Sequence, residues 1–171
     1  MTNKKNKILI TGGAGYIGSL LIEKLLKKGF KVICLDIFIY GESAIKQFYS
    51  NKNFQSVKGD IRDKKLLNKI LVDVKIIIHL AAIVGDKPCQ IIPDQSTDIN
   101  VNGTKILAQL AKKNKVEKLI YASTCSNYGI IKMHQIANEK TKLYPVSLYA
   151  KQKIKTENLL KKISSKKFKV V

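Results

Sequence analysis

The run T-G-G-A-G-Y-I-G at 11–18 narrows the possible fold more than any other stretch of this 171-residue chain. It joins a short apolar run, Lys7–Thr11, to a pattern over 16–28 in which Ile17, Leu20, Leu21 and Leu25 recur at helical spacing. Such glycines carry meaning when they stand between a strand and a helix, as here. Gly12, Gly15 and Gly18 allow a tight turn, close approach of a pyrophosphate to the backbone, and close packing of the helix on a sheet. Gly13 also lets the string be read as G-x-G-x-x-G. The helix that opens here offers unpaired N–H groups and partial positive charge to an anion.

Short apolar runs continue to alternate with helical patterns. Lys31–Asp36 reads as the second strand, with Gly29 closing the helix before it. A loop and helix over 41–49 lead to a third strand near 54–57, and a short helix over 63–71 leads to a fourth strand at 75–79. A loop through Gly85 and Pro88 precedes a long helix over 94–114, then a fifth strand at 118–122. Another long helix covers 147–164, and 168–171 looks like a sixth strand beginning. Continuously apolar strands separated by helices imply a parallel sheet covered on both faces, the doubly wound α/β fold of Rossmann type. No repeat, linker or internal boundary divides the chain, so residues 1–171 are expected to form one domain.

Asp36 strengthens the glycine loop. It ends the second strand, where its carboxylate can accept hydrogen bonds from the ribose hydroxyls of a dinucleotide. It would repel a 2'-phosphate, and no arginine stands beside it in sequence, so NAD is expected over NADP.

Charge gives a weaker signal. Thirty-two basic against 12 acidic residues leave a formal +20, but Arg62 is the sole arginine and the lysines are scattered. Bidentate phosphate or base readout favours arginine, and no stripe of interleaved aromatic and basic residues is present. The charge therefore reads as solvated helix faces, with weak adhesion to polyanions, and is compatible with attraction of anionic substrates. Specific nucleic-acid binding is the weakest reading. No apolar run has the ~20 residues of a membrane span, and residues 1–7 lack a secretory apolar core, so a soluble cytoplasmic protein is expected. Cys34, Cys89 and Cys125 lack paired spacing and read as reduced thiols, Cys34 in the core. His79 and His134 have no metal-ligand spacing, and no metal site is expected.

Downstream, Y-A-K-Q-K places Tyr149 and Lys153 four residues apart on one helix face. A free tyrosine, with a pKa of about 10, is a poor base at neutral pH. A neighbouring ammonium and an oxidised nicotinamide ring would favour the phenolate and lower that value.

Six segments in order now point to a family: the loop at 11–18, G-D-I-R-D at 59–63, H-L-A-A at 79–82, N-V-N-G-T at 100–104, Y-A-S-T-C-S-N-Y-G at 121–129 and S-L-Y-A-K-Q-K at 147–153. Together they resemble the extended short-chain dehydrogenases/reductases, most of all the NAD-dependent nucleotide-sugar epimerases and dehydratases. The resemblance implies that Gly12, Gly15 and Gly18, with Tyr16 and Ile17 between the last two, wrap the pyrophosphate and that Asp36 holds the adenosine ribose. Asp60 and Ile61 would contact adenine, Leu80, Ala81 and Ala82 would line the inner half of the cofactor, and Asn100 would be structural. Thr124 would hydrogen-bond the reacting sugar oxygen, Tyr149 would be the base, and Lys153 would be its partner and also bind the nicotinamide ribose. The substrate implied is a nucleotide-diphosphate sugar. The helices near 94–114 and 147–164 match those that form a homodimer interface in the family.

Two departures shape the expectation. In the 4,6-dehydratases an Asp-Glu pair follows the Ser/Thr, whereas Cys125 and Ser126 stand here, which favours an epimerase or a simple reductase over a dehydratase. Family members also continue beyond this point with further strands and a substrate domain. The chain is accordingly expected to be a truncated form without full activity of its own. A non-catalytic NAD-binding module is the alternative of a different class; an intact Thr124, Tyr149 and Lys153 set argues against it.

Overall fold

The computed structural model describes residues 6–130 and 136–171; His134 lies outside them. Six strands, β1 (Lys7–Thr11), β2 (Lys31–Asp36), β3 (Phe54–Lys58), β4 (Val74–His79), β5 (Lys118–Tyr121) and β6 (Lys169–Val170), form one sheet in the order β3-β2-β1-β4-β5-β6. Every neighbouring pair is parallel, and Thr11 lies level with Leu35 on one side and His79 on the other. The doubly wound fold expected from the alternation is present.

Side-chain alternation divides the strands between two cores. Ile8, Ile10, Val32 and Cys34 face helix α1 (Tyr16–Lys27) and a tight turn at Ser43–Phe48, packing with Ile22, Leu26, Ile45 and Phe48. Leu9, Ile33, Leu35, Ile77 and Leu119 face the opposite way and pack with residues of α2 (Lys64–Ile70), α5 (Thr104–Lys113) and α6 (Leu148–Ile163), such as Leu67, Leu107 and Leu160. Each fully buried aliphatic side chain contributes roughly 1.5–3 kcal/mol, which is why both faces must be covered. No helix among the described residues is long and apolar enough to cross a membrane.

Helix ends follow their local chemistry. After α1, Gly29 turns to φ +77° while its N–H reaches Leu26 O and that of Phe30 reaches Leu25 O, the pairing that satisfies terminal carbonyls. Asp63 caps α2 by accepting from Leu66 N, and Ser147 caps α6 by accepting from Ala150 N.

The segment after β4 departs from expectation. The loop through Pro88 contains a helix, α3 (Asp86–Ile91), with Pro88 in its first turn, where a missing N–H costs nothing. The expected long helix is α4 (Pro93–Thr97), a wide π-helical turn at Asp98–Gly103, and then α5. In this turn the carbonyl of buried Asn100 accepts from the hydroxyls of Thr104 at 2.8 Å and Thr156 at 3.3 Å.

His79 joins β4 to this turn. Its Nε2 is 2.8 Å from Thr104 Oγ1 and its Nδ1 2.6 Å from Thr11 Oγ1. Thr104 spends its only hydroxyl proton on Asn100 O, so it must accept from His79 Nε2–H, and Thr11 must donate to Nδ1. The imidazole is neutral: burial first, then the charge of Lys153, push its pKa down to about 3. The folded pKa thus lies below the unfolded value, and the stability gained is present above about pH 6.5 and is lost as pH falls toward 3, at a slope approaching about 1.4 kcal/mol per unit. Nitrogen NMR is expected to show one neutral His79 tautomer with Nε2–H from neutral pH to about pH 4. A ring titrating near its usual value would contradict the assignment.

Candidate functional site

A cleft of roughly 350 Å³ opens where β1 ends between β2 and β4. This is the point at which strand order reverses, the usual ligand crevice of an open α/β sheet. The glycine loop contributes Gly12, Gly15, Tyr16, Ile17 and Gly18 to its lining, and β2 contributes Asp36. Asp60 and Ile61 enter after β3, and Leu80, Ala81 and Ala82 after β4. All the cleft residues expected from sequence are brought together, apart from Tyr149 and Lys153, which lie outside the lining.

Glycine is required here by contact. A β-carbon on Gly12, already at φ +69°, would fall 2.7 Å from Ala81 N, and one on Gly18 would fall 2.6 Å from Gly12 O. Loop, helix and β4 exit therefore touch backbone to backbone beside the first-turn amides of α1. Those amides have no intrahelical acceptor. Such a cradle fits a pyrophosphate.

Asp36 is fixed before anything binds. Its Oδ2 accepts from Ala14 N at 3.0 Å and its Oδ1 from Phe38 N at 2.9 Å, which ties the acid to the glycine loop. Asp60 is more committed than its expected adenine contact required. Arg62 binds its Oδ2 through Nη2 at 2.5 Å and its Oδ1 through Nε at 3.0 Å, while Nη1 reaches Asp98 Oδ2 at 2.8 Å. The hydrogen bonds from Arg62 hold the Asp60 carboxyl below its usual pKa. The chain's single arginine is thereby spent on two carboxylates.

Tyr149 and Lys153 share the inner face of α6, at 7% and 5% exposure. Lys153 Nζ donates to Ala122 O at 2.7 Å and lies 4.5 Å from the centre of the Tyr121 ring and 5.6 Å from that of Tyr149. Burial pulls the Lys153 ammonium down to about 8, with Glu157 and Cys89 opposing. Tyr149 moves against the sequence argument. Burial raises its pKa, and Cys89 and Asp86 add to the effect, so in the protein alone desolvation outweighs the neighbouring ammonium.

Thr124 follows β5 and caps a short turn, Cys125–Tyr128, its Oγ1 accepting from Ser126 N at 3.2 Å and facing Ser126 Oγ at the same distance. It stands two residues beyond the carbonyl held by Lys153. Cys125 is exposed, whereas Cys34 and Cys89 are buried.

A buried polar cluster, of which the sequence reading named only Asn100, links α6 to the cleft. Asn100 Oδ1 accepts from Ile83 N and its Nδ2 donates to Ile83 O and to Gln152 Oε1, at 2.8–2.9 Å. Gln152 Nε2 then donates to Ser96 and Thr97 hydroxyls, and the Cys89 thiol lies 3.7 Å from Gln152 Oε1. The available signal was Gln152 itself, three residues after Tyr149 and so on the same side of the helix.

Known proteins resemble the chain in sequence and fold. Residues 8–171 match the model of the NAD dependent epimerase/dehydratase family. The chain is 35% identical to a UDP-glucose 4-epimerase of Lactobacillus helveticus over 90% of its own length and 46% of the relative's. It is 37% identical to a dTDP-D-glucose 4,6-dehydratase of Dictyostelium discoideum over 94% of its own length and 42% of the relative's. A dTDP-glucose 4,6-dehydratase of Streptomyces venezuelae, solved with NAD bound, superposes with a TM-score of 0.84 at 32% identity, covering 90% of this chain and 50% of that one. The chain thus spans about half the length of the relatives it matches. With the glycine cradle, the strand order and the family model in agreement, the chain belongs to the NAD-dependent epimerase/dehydratase family.

Proposed function

We propose that this chain binds NAD in the cleft and serves the hydride and proton chemistry of a nucleotide-sugar epimerase. The observation that carries this reading is the glycine cradle packed backbone to backbone, with Asp36 already ordered beside it, connected through Ile83, Asn100 and Gln152 to the helix that bears Tyr149 and Lys153. The substrate class is a nucleotide-diphosphate sugar, by similarity to the Lactobacillus relative. Cys125 and Ser126 supply no carboxylate beside Thr124, which supports an epimerase over a 4,6-dehydratase.

In this reading Gly12, Gly15 and Gly18, with the amides of Tyr16 and Ile17, hold the pyrophosphate, and Asp36 accepts from the adenosine ribose. Asp60 and Ile61 border the adenine, while Leu80, Ala81 and Ala82 line the nicotinamide half. The chemistry supplied by bound NAD is reversible acceptance of hydride from a sugar carbon. Tyr149 takes and returns the hydroxyl proton at that carbon. Lys153 remains a cation at neutral pH, since its pKa of about 8 lies above it, and offsets part of the burial that holds the proton on Tyr149. Thr124 can turn its O–H from Ser126 to a substrate oxygen at the cost of one long contact.

Two further elements belong to the proposal. A cytoplasmic setting suits the three unpaired thiols. A homodimer through 94–114 and 147–164 would bring together exposed Lys105, Lys112 and Lys113 with Lys151, Lys155 and Lys162. Screening this repulsion should strengthen self-association in sedimentation as salt rises from about 50 to about 500 mM. Monomer alone at both salts would contradict the dimer.

Calorimetric titration of the chain with NAD should show binding that Asp36→Ala weakens about tenfold or more, the loss of about 1.4 kcal/mol expected when charged hydrogen bonds to ribose are removed. NADP should bind more weakly than NAD to the wild type, and less so to the variant. Equal wild-type affinity for the two would overturn the role given to Asp36. Absence of NAD binding would overturn the proposal itself.

A further inference from the structure

Thr124 is held from both sides by one carboxylate outside the residues assigned above. Ser123 Oγ donates to Glu157 Oε1, and Asn127 Nδ2 donates to the same oxygen at 2.9 Å and to Ser123 Oγ at 3.1 Å. The three groups close a ring around the segment that carries Thr124. Glu157 lies four residues after Lys153 and eight after Tyr149, so all three share a stripe of α6. Lys153 holds Ala122 O, immediately before Ser123. The helix therefore grips the end of β5 at Ala122 and the turn beyond it at Ser123 and Asn127.

Asn127 shows how much this contact fixes. The residue is 4% exposed, and its Oδ1 is buried without a partner. An amide so placed is costly unless its donors are well satisfied, and a carboxylate acceptor is the strongest partner available to them. Losing Glu157 would leave both ends of the amide short of partners and free the turn to move.

We propose that Glu157 is a positioning residue that locks the Ser123–Asn127 turn, and Thr124 with it, against the helix carrying Tyr149 and Lys153. The importance of the lock rests on the roles proposed for those three residues, but the lock itself can be read without cofactor or substrate. The same carboxylate also sets the charge balance at Lys153. That ammonium is faced by Tyr121 from β5, Tyr149 and Glu157 from α6, Cys89 from α3 and His79 from β4, and Glu157 is the group among them that favours its charged form most strongly.

The test compares the whole chain as wild type, Glu157→Gln and Glu157→Ala. Amide hydrogen exchange is read by NMR at Asn127 and Gly129, whose N–H groups bond within the turn to Thr124 O and Ser126 O. Glu157→Ala is expected to speed exchange there by about tenfold or more while β1 and β4 keep their protection. Glu157→Gln, which retains an acceptor oxygen, is expected to restore it. The Lys153 midpoint, followed by carbon NMR of its ε-methylene, should move down from about 8 in both variants, because both lose the charge. Unchanged exchange in the turn, loss of protection spread equally over the sheet, or an unmoved Lys153 midpoint in Glu157→Gln would overturn the assignment. If Glu157→Ala does not fold, the Lys153 midpoint and turn exchange of Glu157→Gln decide. Failure of NAD to bind would defeat the proposed function and leave this result standing.

Discussion

The backbone-to-backbone contact of Gly12 with the exit of β4 is the constraint on which the molecule's functional end depends. Strand β1 sits between β2 and β4, and a hydrogen bond ties it to each at its end: Gly12 N to Leu35 O and Leu80 N to Thr11 O. A crevice forms there because the chain leaves β1 and β4 toward opposite faces of the sheet. It can admit a dinucleotide because no β-carbon intervenes. The glycines are thus as much a packing device as a phosphate loop, since Gly18 lets α1 settle onto the same turn and brings its free amides to the cleft.

A second dependence runs through buried polar groups. Asn100, Gln152, Thr104, Thr156 and His79 fill a space between the central helices and β4 that apolar side chains could have filled more simply. Each is satisfied by another, so the cluster costs little and specifies much. It sets the height of α6 against Ile83, and hence where Tyr149 and Lys153 stand relative to the cleft. The wide turn at Asp98–Gly103 is part of the same arrangement, since its Asn100 carbonyl is the acceptor that Thr104 and Thr156 share.

Much of this was legible in the sequence. The bounds of β1 and β2 and the glycine after α1 follow from local chemistry that acts within a few residues. Gly12, Gly15, Gly18 and Asp36 were legible because a strand, a glycine loop and an acid come in fixed order, whereas Asp60, Ile61 and Leu80 to Ala82 were placed by the family resemblance. The wide turn was not, because apolar periodicity over 94–114 reads through a single extra residue, and one of its partners, Thr156, lies far along the chain. The pKa direction of Tyr149 was likewise hidden. Spacing reveals that an ammonium can stand beside a phenol but says nothing of the burial that outweighs it. The adenine contact of Asp60 was implied by the family resemblance, whereas its engagement by Arg62 depends on the geometry of the loop after β3.

The central claim is that one cleft at the strand reversal, and the stripe of α6 beside it, form a single site for NAD. A crystal structure of the chain with NAD tests this most directly. The adenosine ribose is expected within hydrogen-bonding distance of Asp36, the pyrophosphate over Gly12 to Gly18, and the nicotinamide ribose reaching Lys153. NAD seated elsewhere, or with its nicotinamide end turned away from Tyr149 and Lys153, would contradict it.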